Sequence, residues 1–76
     1  MRTWDNIKII VEELKKYKRF RLGDLIRLIE AKLLVSESTA RQYVRMMLRH
    51  EIIEWKGGDI LALKEGEEIE KEGKEG

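Results

Sequence analysis

Trp4, Ile7, Ile10, Val11, Leu14 and Tyr17 recur at three- and four-residue intervals between polar positions. That period predicts an amphipathic helix from Thr3 to about Tyr17. Thr3 is placed to cap it, and Asp5 falls in the first turn, where the helix dipole favours negative charge. Lys15, Lys16, Lys18 and Arg19 crowd its far end, where the dipole favours positive charge. A second helix is predicted from about Leu22 to Leu33, with Leu22, Leu25, Ile26, Leu28, Ile29 and Leu33 forming a stripe broad enough to pack on two sides. Phe20, just before it, reads as an anchor for the connecting segment. A third helix follows Ser36 and runs to about His50, with Ala40, Val44, Met47 and Leu48 as its apolar side. Ser36 is its N-cap, and Val35 and Ala40 occupy the hydrophobic-staple positions. Thr39 stands where a full capping box would place Glu or Gln.

The period then changes. Glu51 to Lys56 and Asp59 to Lys64 read as two strands joined by Gly57-Gly58, a two-residue turn in which both positions can take positive φ. That turn sets a register pairing Lys56 with Asp59, Trp55 with Ile60, Glu54 with Leu61, Ile53 with Ala62, Ile52 with Leu63 and Glu51 with Lys64. Opposite charges at its two ends favour it. It also leaves apolar residues on both faces of the hairpin.

Residues 65–76, EGEEIEKEGKEG, hold one apolar side chain, too little to order themselves by burial. The chain therefore divides into a domain over 1–64 and an acidic tail over 65–76, read as flexible. The net charge of +1 hides this division. Residues 1–64 carry 14 basic and 9 acidic side chains, and residues 65–76 carry 2 and 6. A basic body beside an acidic segment suits a polyanionic partner.

Seventy-six residues make one small domain, mainly α with a small β-hairpin. Cysteine is absent and histidine occurs once, at His50, so no Cys-based or paired-His metal site can form. No Ser-His-Asp, Cys-His or phosphate-loop constellation is present, and no enzyme or cofactor is expected. No apolar run approaches the ~20 residues that span a bilayer. The start of the chain lacks the features of a signal peptide, so a cytoplasmic protein is expected. The bias to Lys, Glu, Arg and Ile, with no Pro or Cys, resembles proteins of thermophiles, and equally any small charged domain.

Candidate chemistry concentrates in the third helix. With Ala40 set at zero and roughly 100° per residue, Val44, Leu48, Met47 and Tyr43 define an inward arc. Ser38, Arg41, Gln42, Arg45 and Arg49 face the other way, with Met46 at the edge. Arginine can bond bidentately to guanine, and glutamine to adenine. A solvated helix face would look the same when considered alone.

The order of three helices and a hairpin resembles the winged helix-turn-helix DNA-binding family. The resemblance covers about residues 3–64. It is carried by Leu25 and Ile29, by Val35-Ser36 at the turn, by Thr39, Val44 and Leu48, and by Ile52-Ile53. Leu34 fills a place that often holds Gly. Such domains serve small archaeal and bacterial transcription regulators, and short ones are carried by archaeal viruses. The resemblance implies a third helix in the major groove and a hairpin, the wing, against backbone or minor groove. Ser38, Arg41, Gln42 and Arg45 would then contact bases, and Arg49 would meet phosphate. Lys56, the basic residue near the tip of a short wing, would reach at most a phosphate.

Other positions keep two readings. Arg19 and Arg21, with Lys18, could hold phosphate or be a solvated loop. Tyr43 is read as core edge whose hydroxyl could reach a phosphate. Few base contacts fit one domain, so a homodimer on a palindromic duplex is expected, without a small-molecule effector. Trp4 and Ile9 are its first candidate interface and Trp55 its second. The competing function is a winged-helix module that binds protein through the hairpin faces and the acidic tail.

Overall fold

The computed structural model describes residues 2–64. Three helices and three short strands follow in the order α1 (Arg2–Leu14), β1 (Phe20–Arg21), α2 (Leu22–Leu33), α3 (Glu37–Arg49), β2 (Ile53–Gly57) and β3 (Ile60–Leu63). The strands form one antiparallel sheet in the order β1-β3-β2. The fold is therefore mostly helical, with a sheet of three strands where the sequence pattern predicts two. The division at residue 65 lies at the edge of the described residues, and the acidic segment falls outside them.

One apolar cluster joins all the elements. Ile7, Ile10 and Leu14 come from α1, Leu25, Ile26 and Ile29 from α2, and Ala40, Val44 and Met47 from α3. Phe20, Ile53 and Leu61 bring the sheet onto it. No polar or charged side chain is buried among the described residues. No helix there is long and apolar enough to cross a membrane.

The first helix departs from expectation at both ends. Thr3 lies inside α1 and does not cap it. The helix stops at Leu14, not Tyr17: Lys16 N–H donates to the Glu13 carbonyl and Tyr17 N–H to that of Leu14, a tighter i→i−3 pattern that closes the last turn. Tyr17 is left half exposed. Lys16 and Lys32 both reach Glu13, at 3.3 and 3.4 Å, so the carboxylate ties α1 to α2. The bond from Lys16 is the largest influence on the Glu13 carboxyl; partial burial opposes it, and the bond from Lys32 and the two lysine charges add to it, so the group lies below the usual carboxylate range. Its contribution to stability is complete above the unfolded carboxylate pKa and is lost as pH falls through the lower folded value.

Both ends of α3 are built as caps. Ser36 Oγ accepts from Thr39 N–H at 3.3 Å and lies 3.2 Å from Thr39 Oγ1. At the other end Ile52 N–H donates to the Met47 carbonyl at 2.8 Å and Glu51 N–H to that of Leu48 at 3.0 Å. This pair of bonds is a Schellman closure, with Glu51 at φ 61 in the place usually given to glycine. Leu34, which ends α2, is also left-handed at φ 56, and it is 87% exposed. Each such non-glycine residue carries a backbone cost of roughly 1–2 kcal/mol. Ser36→Ala is expected to destabilise the domain by about 1 kcal/mol and Ser36→Gly by a few tenths, read from urea midpoints. Equal losses would mean that the hydroxyl does not cap.

The hairpin register differs from the expected one by a residue. Ile53 pairs with Leu63, Glu54 with Ala62 and Trp55 with Leu61, and Gly57 then pairs with Ile60. The turn is thus Gly58-Asp59, with Gly58 at φ 56, and Lys56 is the extra residue of a bulge. A one-residue slip exchanges the faces of one strand relative to the other. Here it places Ile53, Trp55, Leu61 and Leu63 together, where the Gly57-Gly58 turn would have split them. Phe20 joins the same face through its pairing with Leu61. The two-faced hairpin of the sequence pattern is therefore a hairpin with one strongly apolar face. Glu51 lies in the turn before β2 rather than in a strand, yet its ion pair with Lys64 forms at 2.9 Å.

β1 is the element that the pattern misses. Its two residues pair with Leu61 and Ile60, and Leu22 N–H extends the ladder to the Asp59 carbonyl at 2.9 Å. The start of α2 is thereby fastened to the hairpin turn.

Candidate nucleic-acid interface

α3 separates its residues by face as the angular map predicts. Ala40, Val44 and Met47 are buried, and Tyr43, Met46 and Leu48 are half-buried. Ser38, Arg41, Gln42, Arg45 and Arg49 are all exposed. The helix of 13 residues is ~20 Å long. Its arginines therefore stand about 6 Å apart along the axis. Ser38 Oγ lies 3.3 Å from Ser36 Oγ, so this side chain is shared with the cap.

The three arginines are not equivalent. Arg41 Nη2 and Nε donate to Glu37 Oε2 at 2.7 and 3.1 Å. Arg45 and Arg49 form no ion pair among the described residues. The stripe thus consists of one held guanidinium and two open ones. Glu37 is the residue that the outward arc left out. Its signal was present as a Glu four positions before an Arg, the favoured order for a helix pair.

The backbone-contact candidates fall into different settings. Tyr43 Oη accepts a hydrogen bond from Asn6 Nδ2 at 2.9 Å, which fastens α1 to α3. Its hydroxyl hydrogen remains available to an acceptor. Arg19 and Arg21 sit in different settings. Arg19 is exposed at the rim of a shallow groove of ≈ 290 Å³ floored by Leu14, Phe20, Leu25 and Leu28. Arg21 sits on β1 and reaches Asp59 in the hairpin turn at 3.8 Å. The sheet therefore brings a second basic residue to the hairpin end, on the opposite edge strand from Lys56. Lys56 itself is exposed and ion-paired with Glu54 at 3.1 Å.

The dimer candidates are exposed but do not share one helix face. Trp4 is 46% exposed, and its ring meets that of His50 edge-on, with centroids 4.9 Å apart. Ile9 is 47% exposed and lies about 140° further round α1, among charged residues. Trp55 is 48% exposed on β2, an edge strand. Its cross-strand neighbour Leu61 is fully covered.

The Lys64 bond, then the Lys64 charge, hold the Glu51 carboxyl below the usual range. The ion pair holds Lys64, the last described residue, against Glu51, two residues past the end of α3. Among the described residues no group of three or more His, Cys, Asp or Glu is placed to hold a metal ion. Comparison with protein-family models, with curated proteins and with solved structures finds no match to this chain.

Proposed function

We propose that this protein is a winged helix-turn-helix binder of double-stranded DNA, a transcription regulator acting as a homodimer in the cytoplasm, with α3 in the major groove. One observation carries the reading: α3 buries Ala40, Val44 and Met47 on one side and holds five polar side chains, three of them arginines, outward on the other. A helix of this width fits the B-DNA major groove, ~12 Å wide, where base edges differ in donor and acceptor pattern. The three-residue link from α2 to α3 and the hairpin after α3 suit the family's arrangement. In this reading Ser38, Arg41, Gln42 and Arg45 meet bases. Arg49, Lys56, Arg21, Arg19 and the Tyr43 hydroxyl meet backbone. Lys56 and Arg21 must exchange a carboxylate for phosphate to do so, so the hairpin contributes less than α3.

Selection of bound sequences from random duplexes tests the proposal. A palindromic consensus with half-sites about one helical turn apart is the expected result for a dimer. Failure to enrich any sequence would overturn it.

A second reading, a module that binds protein, is favoured by the half-exposed Trp4, Ile9 and Trp55. It would gain if replacing Arg41 and Arg45 left DNA affinity and its salt dependence unchanged.

Residues 65–76 carry a balance of −4. Deleting 66–76 is therefore expected to tighten binding to random duplex, most at low salt. Unchanged or weaker binding in a filter assay would exclude electrostatic repulsion by this segment.

A further inference from the structure

We propose that Glu37 and Arg41 act as one unit that reads a G·C base pair, with Glu37 the specificity-determining partner. The inference rests on the DNA-binding reading and deepens it. A guanidinium has five N–H donors. The Nε hydrogen and one on Nη2 point to a single oxygen, Glu37 Oε2. Three hydrogens remain, and two of them, one on Nη1 and one on Nη2, form the end-on fork. Guanine presents O6 and N7 to such a fork in the major groove. Glu37 Oε1 accepts no side-chain hydrogen bond among the described residues. The N4 amino group of cytosine lies beside guanine O6 in the same pair and donates to carboxylates. The unit therefore matches both halves of one base pair, and it matches neither A·T orientation in full.

Two further features support this assignment. Both side chains are more than half exposed, so the ion pair adds little to folding. What it does provide is a fixed guanidinium, which lowers the ordering cost of binding. In addition, a carboxylate in the first turn of α3 repels phosphate. The helix end that carries Glu37 is thus suited to base edges, whereas the open Arg45 and Arg49 suit either bases or backbone.

The test uses the full chain, the duplex obtained by selection and a random duplex at one salt concentration. E37A and E37Q are each expected to lose about tenfold in preference for G·C at one position of each half-site. Affinity for random duplex should hold or rise, since a negative charge is removed. Sequences selected by E37A should become degenerate at that position alone. R41K, which keeps the charge but not the fork, should lose the same base pair. The proposal is overturned if E37A tightens selected and random duplexes equally and selects an unchanged consensus. In that case Glu37 is only a repelling surface charge. If the unaltered chain binds no duplex, the DNA-binding reading fails first and this one with it. Circular dichroism of each variant separates loss of reading from loss of fold.

Discussion

Leu61→Ala is expected to destabilise the domain by about 2–5 kcal/mol, the range for a fully buried leucine cut back to its Cβ. A domain of about 63 residues has a total stability of roughly 3–9 kcal/mol. The variant should therefore be largely unfolded or close to it at room temperature. Leu61 has no exposed surface, sits between Phe20 and Trp55 in the sheet, and faces the cluster built by the three helices. The measurement is the urea midpoint at constant m-value. It also decides the register. With a Gly57-Gly58 turn, Leu61 would lie across from Glu54 on the face away from Ile53, and its truncation would change little. A loss under about 1 kcal/mol would contradict the bulged register.

Arg41→Ala is the second large effect, on binding rather than folding. It should weaken the selected duplex by about 1–3 kcal/mol and relax preference at one base pair. Arg49→Ala should instead weaken selected and random duplexes alike and lower the salt slope by about 1. The contrast follows from their settings: Arg41 is oriented by Glu37, and Arg49 is an open cation at the far end of the helix. Equal behaviour of the two variants would remove the division between reading and anchoring. Filter binding across a salt series measures both terms.

Helix periods were legible because each helix buries one stripe against a single cluster. α2 and α3 fall within a residue of their expected limits, since Ser36 is a chemical start signal. The end of α1 was not legible. Tyr17 keeps the apolar period, but it comes after the tightened turn and buries little. The register failed for a different reason. Gly57-Gly58 and Gly58-Asp59 are both good turn pairs, and no local rule ranks them. The choice is made by Leu61 and Leu63, which reach the core only when Lys56 is bulged out. β1 had no signal at all, because two residues show no alternation; its partner lies about 40 positions away. The outward face of α3 was readable residue by residue, whereas the hold of Glu37 on Arg41 needed side-chain geometry to see.

Leu34 and Glu51, the left-handed non-glycine residues among those described, stand on either side of α3. The direction of that helix is set by these backbone joints and by Ala40, Val44 and Met47, all on its inner side. Positions 42, 45 and 49, exposed and free of any contact that holds the helix, consequently have no duty in folding. They can change one at a time without passing through an unstable intermediate, which gives the outer face of α3 a smooth path for evolution or for redesign. The residues that fix its pose are held by a separate and stricter constraint.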